Sequence, residues 1–284
     1  MDISLETLHA RSSVRNYLPQ ALGQDTLDAL SALIQGLEPC PFGTSPRFAL
    51  SGKEIEADKT RGAIGTYGVI KGAPAYIVGC TRPEPWAFVD YGYAMEGLIL
   101  GATALGLGTC WLGGIFNRGA AGRSLGLREG EVVPAISPVG IPSGRGSLAD
   151  RIIRGSAGSD RRKPWSELFF ADGWATPLSE EGAGPYAPVL TALRAGPSAS
   201  NKQPWRVVLT RTEGGTALHL YLKEDLAYTK AIPGVLLQDL DAGIAMRHVS
   251  VACAELRLPG SWKRLTVDPA PGPAPLRYIA SWLP

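Results

Sequence analysis

The sequence predicts an α+β fold built from two tandem related halves, and three observations point to it. Helix patterns mix with short runs rich in β-branched residues, which is typical of layered helix-and-sheet domains. Residues 90–111 align with residues 241–262 without a gap. The 284 residues also amount to about two domains at roughly 150 residues per domain.

The aligned segments repeat the same residue at several matching positions. These are Asp90/Asp241, Gly92/Gly243, Ala94/Ala245, Met95/Met246, Leu105/Leu256, Leu107/Leu258 and Trp111/Trp262. A weaker parallel links residues 29–50 to residues 189–209. Two similar core helices are the alternative explanation, but a duplicated domain accounts for the parallels better. We predict the join in the loop-like run 172–188, with one half at 1–175 and a shorter half at 176–284.

The individual elements follow from capping residues and hydrophobic spacing. Asp25 is expected to cap a helix, whose apolar stripe is Leu27, Leu30, Leu33, Ile34 and Leu37. Short β-branched runs predict buried strands at 75–79, 132–139 and 206–209. Alternating polarity predicts further strands at 218–222 and 277–283.

Residues 94–116 form an apolar stretch in which Glu96 is the only charged residue. Its length would allow a membrane span. Gly106 and Gly108 should break a helix midway, however, and no basic residue lies close on the N-terminal side. We therefore expect a buried helix, a turn and a buried strand, and no membrane association.

The overall composition is that of an ordinary globular protein. Lys+Arg number 28 and Asp+Glu 26, a balance that argues against nucleic-acid binding through phosphate neutralisation. Four separated cysteines without a C-x-x-C pair are expected to be reduced thiols, with disulfides as the alternative. Three histidines without a His/Cys cluster predict no metal site. The N-terminus lacks the apolar core of an export signal, so we expect a cytoplasmic location.

Two catalytic patterns occur in contexts that do not suit them. Gly106-Leu-Gly108 begins like a dinucleotide-binding fingerprint, but it follows a helix-like run and lacks the third glycine. The run from Gly122 to Gly126 matches a hydrolase nucleophile elbow around Ser124, with Asp241 and His248 following in a permitted order. Polar and charged residues flank that run where a hydrophobic strand and a helix are required. A hydrolase is therefore a minor alternative.

Two polar segments carry more information. Arg11-Ser-Ser-Val-Arg15 places two guanidinium groups and two hydroxyls close together, which suits a phosphate or an electron-rich heterocycle. Residues 196–205 (GPSASNKQPW) concentrate amides and hydroxyls between prolines just before a strand. Such a rigid loop suits recognition of a ring edge. Either segment alone could equally be a solvated helix end or a polar loop.

Together these segments resemble the FMN-dependent nitroreductase family. Its members typically carry an R-x-S-x-R-like start, a P-S-x-x-N-x-Q-P-W loop and a G-L-G-x-x-W-x-G-G turn. This chain has all three, the last at residues 106–114. Lys71-Gly-Ala-Pro74 and Arg161-Arg-Lys-Pro164 also look like the family. The resemblance covers most of 1–170 and part of 185–262, and it implies a mixed, mainly antiparallel sheet flanked by helices.

The order of the motifs departs from the family pattern. In the family, the P-S-x-x-N-x-Q-P-W loop follows the first helices, and each FMN lies between two identical subunits. Here the first half has Cys40-Pro-Phe-Gly-Thr-Ser-Pro46 in that place, without the Asn and Gln. The second half has the loop but no Arg-Ser-Ser-x-Arg counterpart. We infer a monomeric pseudo-dimer with one composite flavin site.

The resemblance also implies roles for individual residues. The segment Arg11, Ser12, Ser13 and Arg15 would hold the phosphate and the pyrimidine edge of the flavin, and Arg161 or Arg162 would meet the phosphate. Gly113 and Gly114 would let the backbone approach the ring. Cover from the second half would come from Pro197, Ser198, Ala199 and Asn201. Gln203, Trp205, Trp111 and Trp262 are expected to be structural.

The implied activity is that of an FMN-dependent oxidoreductase. NAD(P)H would reduce the flavin, which would then reduce an electron-poor acceptor such as a nitroaromatic, quinone or enone in a ping-pong mechanism. The cofactor carries this chemistry, and the sequence shows no obvious catalytic acid–base pair. A flavin-binding protein that has lost turnover is the alternative, because tandem copies that lose motifs can also lose activity.

Overall fold

The chain folds into two mainly antiparallel sheets with helices packed between and around them. The computed structural model describes residues 3–52, 69–114, 116–144, 161–225 and 232–284. Within them the helices are α1 (Leu5–Ala10), α2 (Gln24–Gln35), α3 (Ala87–Ala104), α4 (Arg118–Leu125), α5 (Trp165–Leu168), α6 (Glu180–Ala183), α7 (Ala187–Ala195) and α8 (Leu237–Glu255). The strands are β1 (Arg47–Ser51), β2 (Ala75–Cys80), β3 (Gly108–Thr109), β4 (Ile136–Gly140), β5 (Phe169–Ala171), β6 (Thr176–Pro177), β7 (Trp205–Thr212), β8 (Gly215–Lys223), β9 (Ser261–Lys263) and β10 (Leu276–Leu283).

The two sheets repeat one topology. The first has the strand order β1-β2-β4-β3, and the second has the order β6-β5-β7-β8-β10-β9. The last four strands of the second sheet therefore reproduce the whole first sheet. In each half a long helix, α3 or α8, connects the second strand of this set to the third along the chain. This topology confirms the predicted α+β fold with tandem related halves.

The long helices α3 and α8 form the centre of the molecule and pack against each other. Both are buried along nearly their whole length, which explains why neither shows the one-sided apolar stripe of a surface helix. Helix α3 ends before Gly106, which has a φ of 76°, and β3 follows. The buried helix, the turn and the buried strand predicted within this stretch are thus confirmed. None of the helices in the described residues is long and apolar enough to cross a membrane.

The helix predicted after Asp25 exists, but the predicted cap is wrong. Gly23 is the N-cap residue of α2 and makes no side-chain cap bond, while Asp25 lies in the first turn. A carboxylate there still interacts favourably with the helix dipole. The predicted stripe does face the core of the first half. Leu30 belongs to that buried core, and Leu27, Leu33, Ile34 and Leu37 pack against it.

The buried strands lie where the sequence predicts them, but two of them have different boundaries. Residues 75–79 form the buried strand β2, as predicted. The strand predicted at 132–139 is regular only as β4, Ile136–Gly140, and Val132 forms an isolated bridge with Thr81. Pro134 lies between these two pairings and has no N–H to donate. The strand predicted at 206–209 is longer, Trp205–Thr212.

The alternating strands predicted in the second half are present, but alternation does not describe their burial. In β8 the residues from Ala217 to Leu222 are all buried, and β10 is similarly buried from Tyr278 to Trp282. One side of this sheet packs on α7 and α8. On the other side, Tyr221 and Tyr278 pack with Trp174 and the segment near Ala270. Polar positions such as His219 are therefore buried and hydrogen-bonded to neighbouring side chains.

Residues before the predicted half boundary take part in the second sheet. The strand β5 pairs in parallel with β7, and β6 pairs with β5. The stretch 165–177 therefore packs with the residues of the second half, and the division into 1–175 and 176–284 stays a prediction.

Candidate functional site

The arginine segment, residues 11–15, directly follows α1 and lies beside β3. Arg11 is the C-cap residue of α1. Ser13 pairs in parallel with Thr109, and the Val14 N–H donates to the Thr109 carbonyl at 2.8 Å. Gly108 makes this approach possible, because a Cβ there would lie 2.8 Å from the Val14 side chain. Further along, the Arg15 carbonyl accepts a bond of 2.8 Å from the Lys71 N–H.

Two buried polar atoms in this region have no partner within the described residues. They are the Nε of Arg11 and the Oγ1 of Thr109. Buried donors and acceptors are normally satisfied, so an unpaired one needs a reason. Ser12, in contrast, is exposed, and Ser13 is half-buried.

The segment with Gly113 and Gly114, which we call the glycine turn, follows β3 and is held by Arg118 of α4. Arg118 donates hydrogen bonds to the carbonyls of Gly113, Val133 and Pro134. Its partial burial lowers the pKa of its guanidinium. A Cβ on Gly113 would lie 2.9 Å from Cδ2 of Leu237, the first residue of α8. Gly114 is exposed, and the nearest atom to a Cβ there, from Ile232, would be 3.9 Å away.

The loop 196–203 connects α7 to β7 in an unusual backbone conformation. Ser200, Asn201 and Gln203 have positive φ angles of 47°, 53° and 47°. Residues other than glycine adopt this region at a cost, and such residues cluster at functional sites. The loop is fixed internally by a 2.8 Å bond from the Gln203 N–H to Oγ of Ser198. Pro197, Ser198, Ala199 and Asn201 are all half-buried.

Arg162 and Asn201 bind each other. Nη1 of Arg162 donates to Oδ1 of Asn201 at 2.6 Å, and Nη2 donates to the Ala195 carbonyl at 2.8 Å. The Asn201 amide donates in turn to the Arg161 carbonyl at 2.8 Å. The structure thus brings the 161–162 segment to the loop, with Arg162 turned inward and the Arg161 residue exposed.

Gln203 and Trp205 are both buried and held by contacts within the protein. Gln203 is buried, accepts a 2.8 Å bond from the Lys163 N–H and donates to the Arg161 carbonyl. Trp205 is fully buried in the core of the second half.

The glycine turn and the loop meet on the first two turns of α8. Leu237 packs beneath Gly113, and one helical turn later Oδ1 of Asp241 accepts a 2.9 Å bond from the Ala199 N–H. Residues four apart lie on the same helix face. Ala199 and Trp111 also border one hydrophobic cluster. The first half's glycine turn therefore lies close to the second half's loop.

The arginine segment reaches the same region through its neighbours. It runs beside β3, which leads directly into the glycine turn. Helix α1 packs on α7, whose end begins the loop.

Sequence reasoning missed the anchoring role of Asp90 and Asp241. Asp90 accepts bonds from the N–H groups of Phe42 and Thr44 at 3.0 and 2.9 Å, in the first half's counterpart of the loop. Burial raises the pKa of both carboxyls, most strongly at Asp241, where the charge of Asp239 adds to the effect. Oδ2 of Asp241 has no partner within the described residues. The signal in the sequence was the identity of Asp90 and Asp241 in the repeat.

The hydrolase alternative has no geometric support. Ser124 lies inside α4, not at a strand-to-helix turn, and its hydroxyl donates to the Ala121 carbonyl at 2.8 Å. Both ring nitrogens of His248 are engaged elsewhere, by the Ala192 carbonyl and Glu96. The required pairing of serine with histidine is therefore absent from these residues.

Comparison with known proteins identifies relatives with this fold. The chain is similar to the crystal structure of a “putative nitroreductase” from Thermotoga maritima MSB8. The two are 18% identical, the match covers 100% of this chain and 94% of that chain, and the TM-score is 0.62. At this identity the likeness shows a shared fold.

Shorter matches cover about half of the chain. One is to an FMN-dependent nitroreductase from Clostridium difficile R20291, with 22% identity over 49% of this chain and 87% of that chain and a TM-score of 0.40. Another is to a nitroreductase with bound FMN from Bacteroides fragilis NCTC 9343, with 25% identity over 51% and 90% of the two chains and a TM-score of 0.41. No curated protein matches the sequence.

The comparison with protein families covers nearly the whole chain. A family profile described as “Putative TM nitroreductase” matches residues 4–253, a range that includes the arginine segment, the glycine turn and the loop. The chain belongs to this nitroreductase family.

Proposed function

We propose that this protein is an FMN-dependent oxidoreductase with one composite flavin site formed by both halves of the chain. The observation that carries the proposal is the meeting of the glycine turn and the 196–203 loop on the first turns of α8. The residues proposed to hold FMN are Arg11, Ser12, Ser13, Arg15, Gly113, Gly114, Arg161, Arg162, Pro197, Ser198, Ala199 and Asn201.

The unpaired buried atoms support a ligand at this place. Nε of Arg11 is a buried donor to which none of the described residues offers an acceptor, and a flavin has acceptor atoms on its pyrimidine edge and its phosphate. Arg162 is committed to Asn201 and Ala195, so its role would be to hold the loop in place. Arg161 is exposed and would be the one to meet the phosphate. Among the described residues, a Cβ on Gly114 would meet only Cδ1 of Ile232, at 3.9 Å, and without a side chain a ring could lie close to the backbone there.

The pseudo-equivalent second site is filled by side chains, which supports one flavin per chain. In the register of the repeat, Arg264 corresponds to Gly113, and Trp86 corresponds to Leu237. The Arg264 guanidinium lies 4.1 Å from the Trp86 ring centroid. Phe42, from the first half's counterpart of the loop, packs on Trp86 with the ring centroids 5.1 Å apart. An arginine and two aromatic rings thus stand where the other side has Gly113 and Leu237.

The proposed reaction uses NAD(P)H and an electron-poor small molecule. Bound FMN would supply hydride acceptance from NAD(P)H and two-electron reduction of a nitroaromatic, quinone or enone in ping-pong order. The chain would bind and orient the cofactor, and the cationic groups of Arg11 and Arg15 would favour negative charge on the reduced ring. We propose that the protein works as a monomeric pseudo-dimer in the cytoplasm.

The test is reconstitution with FMN followed by absorbance spectroscopy and anaerobic mixing with NADH or NADPH. We expect one FMN per chain, bleaching of the flavin absorbance by NAD(P)H, and recovery of the absorbance on addition of a nitroarene or quinone. Two FMN per chain would contradict the composite site. Binding without reduction would indicate a flavin-binding protein that has lost turnover. No binding would overturn the proposed function.

A further inference from the structure

A buried contact between a histidine and a carboxyl group links the two central helices near the proposed site. Nε2 of His248, on α8, lies 2.9 Å from Oε1 of Glu96, on α3, and both side chains are completely buried. The other carboxylate oxygen of Glu96 accepts a 2.7 Å bond from the indole N–H of Trp111. Nδ1 of His248 is 2.8 Å from the Ala192 carbonyl oxygen.

The positions of the hydrogens in this chain of bonds follow from the donors and acceptors. A carbonyl only accepts, so Nδ1 of His248 must carry a hydrogen, and the Trp111 indole only donates. One further proton therefore lies between Oε1 of Glu96 and Nε2 of His248. Every polar atom of the two side chains then has a partner, which is the condition for a tolerable buried polar network.

The ends of this network are the two parts of the proposed site. Trp111 is followed within three residues by Gly113 and Gly114. At the other end, Ala192 lies in the last turns of α7, just before the loop that begins at Gly196. The His248 ring also lies under the loop, since a Cβ on Gly196 would be 3.7 Å from Nδ1 and Cε1 of that ring.

The pseudo-equivalent side of the helix pair lacks this network. There Arg247 corresponds to Glu96, and Gly97 corresponds to His248. Trp262, the counterpart of Trp111, donates to the Met246 carbonyl at 3.1 Å and to Oγ of Ser250 at 3.0 Å. On that side the helices are joined instead by the buried Arg247, which donates to the Tyr93 carbonyl at 3.1 Å and pairs with the exposed carboxylate of Glu38 at 2.9 Å. Since a buried polar pair adds little net stability over apolar packing, stability alone does not account for the contact between Glu96 and His248.

We propose that Glu96 and His248 are positioning residues for the flavin site. Through Trp111 and the end of α7, they fix the distance between the first half's glycine turn and the second half's loop. This inference rests on the proposed function, because the two segments it positions are the proposed walls of the FMN site.

The test compares FMN dissociation constants of wild type, Glu96→Leu, Glu96→Gln and Trp111→Phe, measured by flavin fluorescence at a temperature where each is folded. Leucine removes the link, and we expect the Kd to rise by about tenfold, because FMN binding must then order the turn and the loop that the link holds in the free protein. Trp111→Phe, at a half-buried position, removes only the hydrogen bond from the Trp111 indole to Glu96 and should raise the Kd by several-fold. Glutamine can accept from Trp111 and donate to neutral His248, so it should restore the Kd to within about twofold.

Ser250→Ala is the matched control. Ser250 lies on the same helix as His248 but bonds to Trp262 and Tyr93 on the pseudo-equivalent side, so its removal should leave the Kd unchanged. A second readout needs no flavin: the ¹⁵N–¹H signal of the Trp111 indole should shift in both Glu96 variants and stay in place in Ser250→Ala.

The two proposals fail in different ways. If wild type binds FMN and folded Glu96→Leu and Trp111→Phe bind it with the wild-type Kd, the positioning role is wrong and the pair only stabilises the helix contact. If wild type does not bind FMN, the proposed function itself is overturned and this inference with it.

Discussion

Gly92 of α3 and Gly243 of α8 are equivalent residues of the repeat, and each lies against the backbone of the opposite helix. A Cβ on Gly92 would be 2.2 Å from the Leu240 carbonyl oxygen, and one on Gly243 would be 2.0 Å from the Val89 carbonyl oxygen. Val89 and Leu240 are equivalent in the same register. The contact is therefore reciprocal, as in a two-fold symmetric dimer interface, although both partners belong to one chain.

Gly243→Ala should destabilise the protein strongly. The new methyl group would overlap backbone atoms, which cannot move aside as a side chain can, so we expect a loss of about 3 kcal/mol in the free energy of unfolding. Urea unfolding followed by circular dichroism measures it. Gly119→Ala is the matched control, since Gly119 is exposed in α4 and the nearest atom to a new Cβ is 3.4 Å away. That variant should be neutral or slightly more stable. Equal stability of the two variants would contradict the close helix contact.

The sequence was sufficient to predict the repeat, the central helices and the segments of the candidate site. Those features depend on local patterns: a hydrophobic run, a glycine turn, a cluster of polar residues. It was not sufficient where tertiary contacts decide. Gly23 replaces Asp25 as the cap of α2, and β8 is buried on both faces because Trp174 and its neighbours cover the second face. The bond between Arg162 and Asn201 joins residues 39 apart in sequence, and nothing local indicates it.

Extending the repeat by two residues would have predicted that side chains fill the proposed second site. The alignment stops at Trp111 and Trp262, yet two residues later it sets Gly113 against Arg264. A glycine and an arginine in equivalent turns cannot both leave room for a ring. The sequence does not show where the Arg264 side chain lies. In the structure it lies over the Trp86 ring.

Arg11→Ala should weaken FMN binding by at least about tenfold, because a hydrogen bond to a charged group contributes roughly 1.5–3 kcal/mol. The measurement is the FMN dissociation constant from fluorescence titration. Arg82→Ala is a suitable control, because it removes the same charge from an exposed position in the loop after β2. Unchanged flavin occupancy in Arg11→Ala would remove the arginine segment from the proposed site.

Asn201→Ala should also weaken FMN binding, although Asn201 belongs to the other half of the chain. The substitution removes the bonds to Arg162 and to the Arg161 carbonyl, so the loop loses its attachment to the 161–162 segment. We expect a Kd increase of about tenfold, because FMN binding must then order the released loop. Lys202→Ala is the neighbouring control, because its ion pair with Asp225 is exposed and such pairs contribute little. Equal effects of the two variants would argue against a composite site.

The stability of Asp241→Asn relative to wild type should increase as the pH rises. Burial raises the pKa of Asp241 well above its ordinary value of 3.8, so the native state holds a proton that the unfolded state releases. Between the unfolded and the folded pKa, the wild type therefore loses stability with increasing pH, and it loses no more above the folded pKa. Asparagine cannot ionise, and its Oδ1 can still accept from the Ala199 N–H. The difference in unfolding free energy between variant and wild type should grow from pH 4 upward and then level off.

Asp241→Ala, which loses the bond to Ala199, should be less stable than Asp241→Asn at every pH. A difference independent of pH in urea unfolding at several pH values would show that Asp241 has an ordinary pKa in the folded protein.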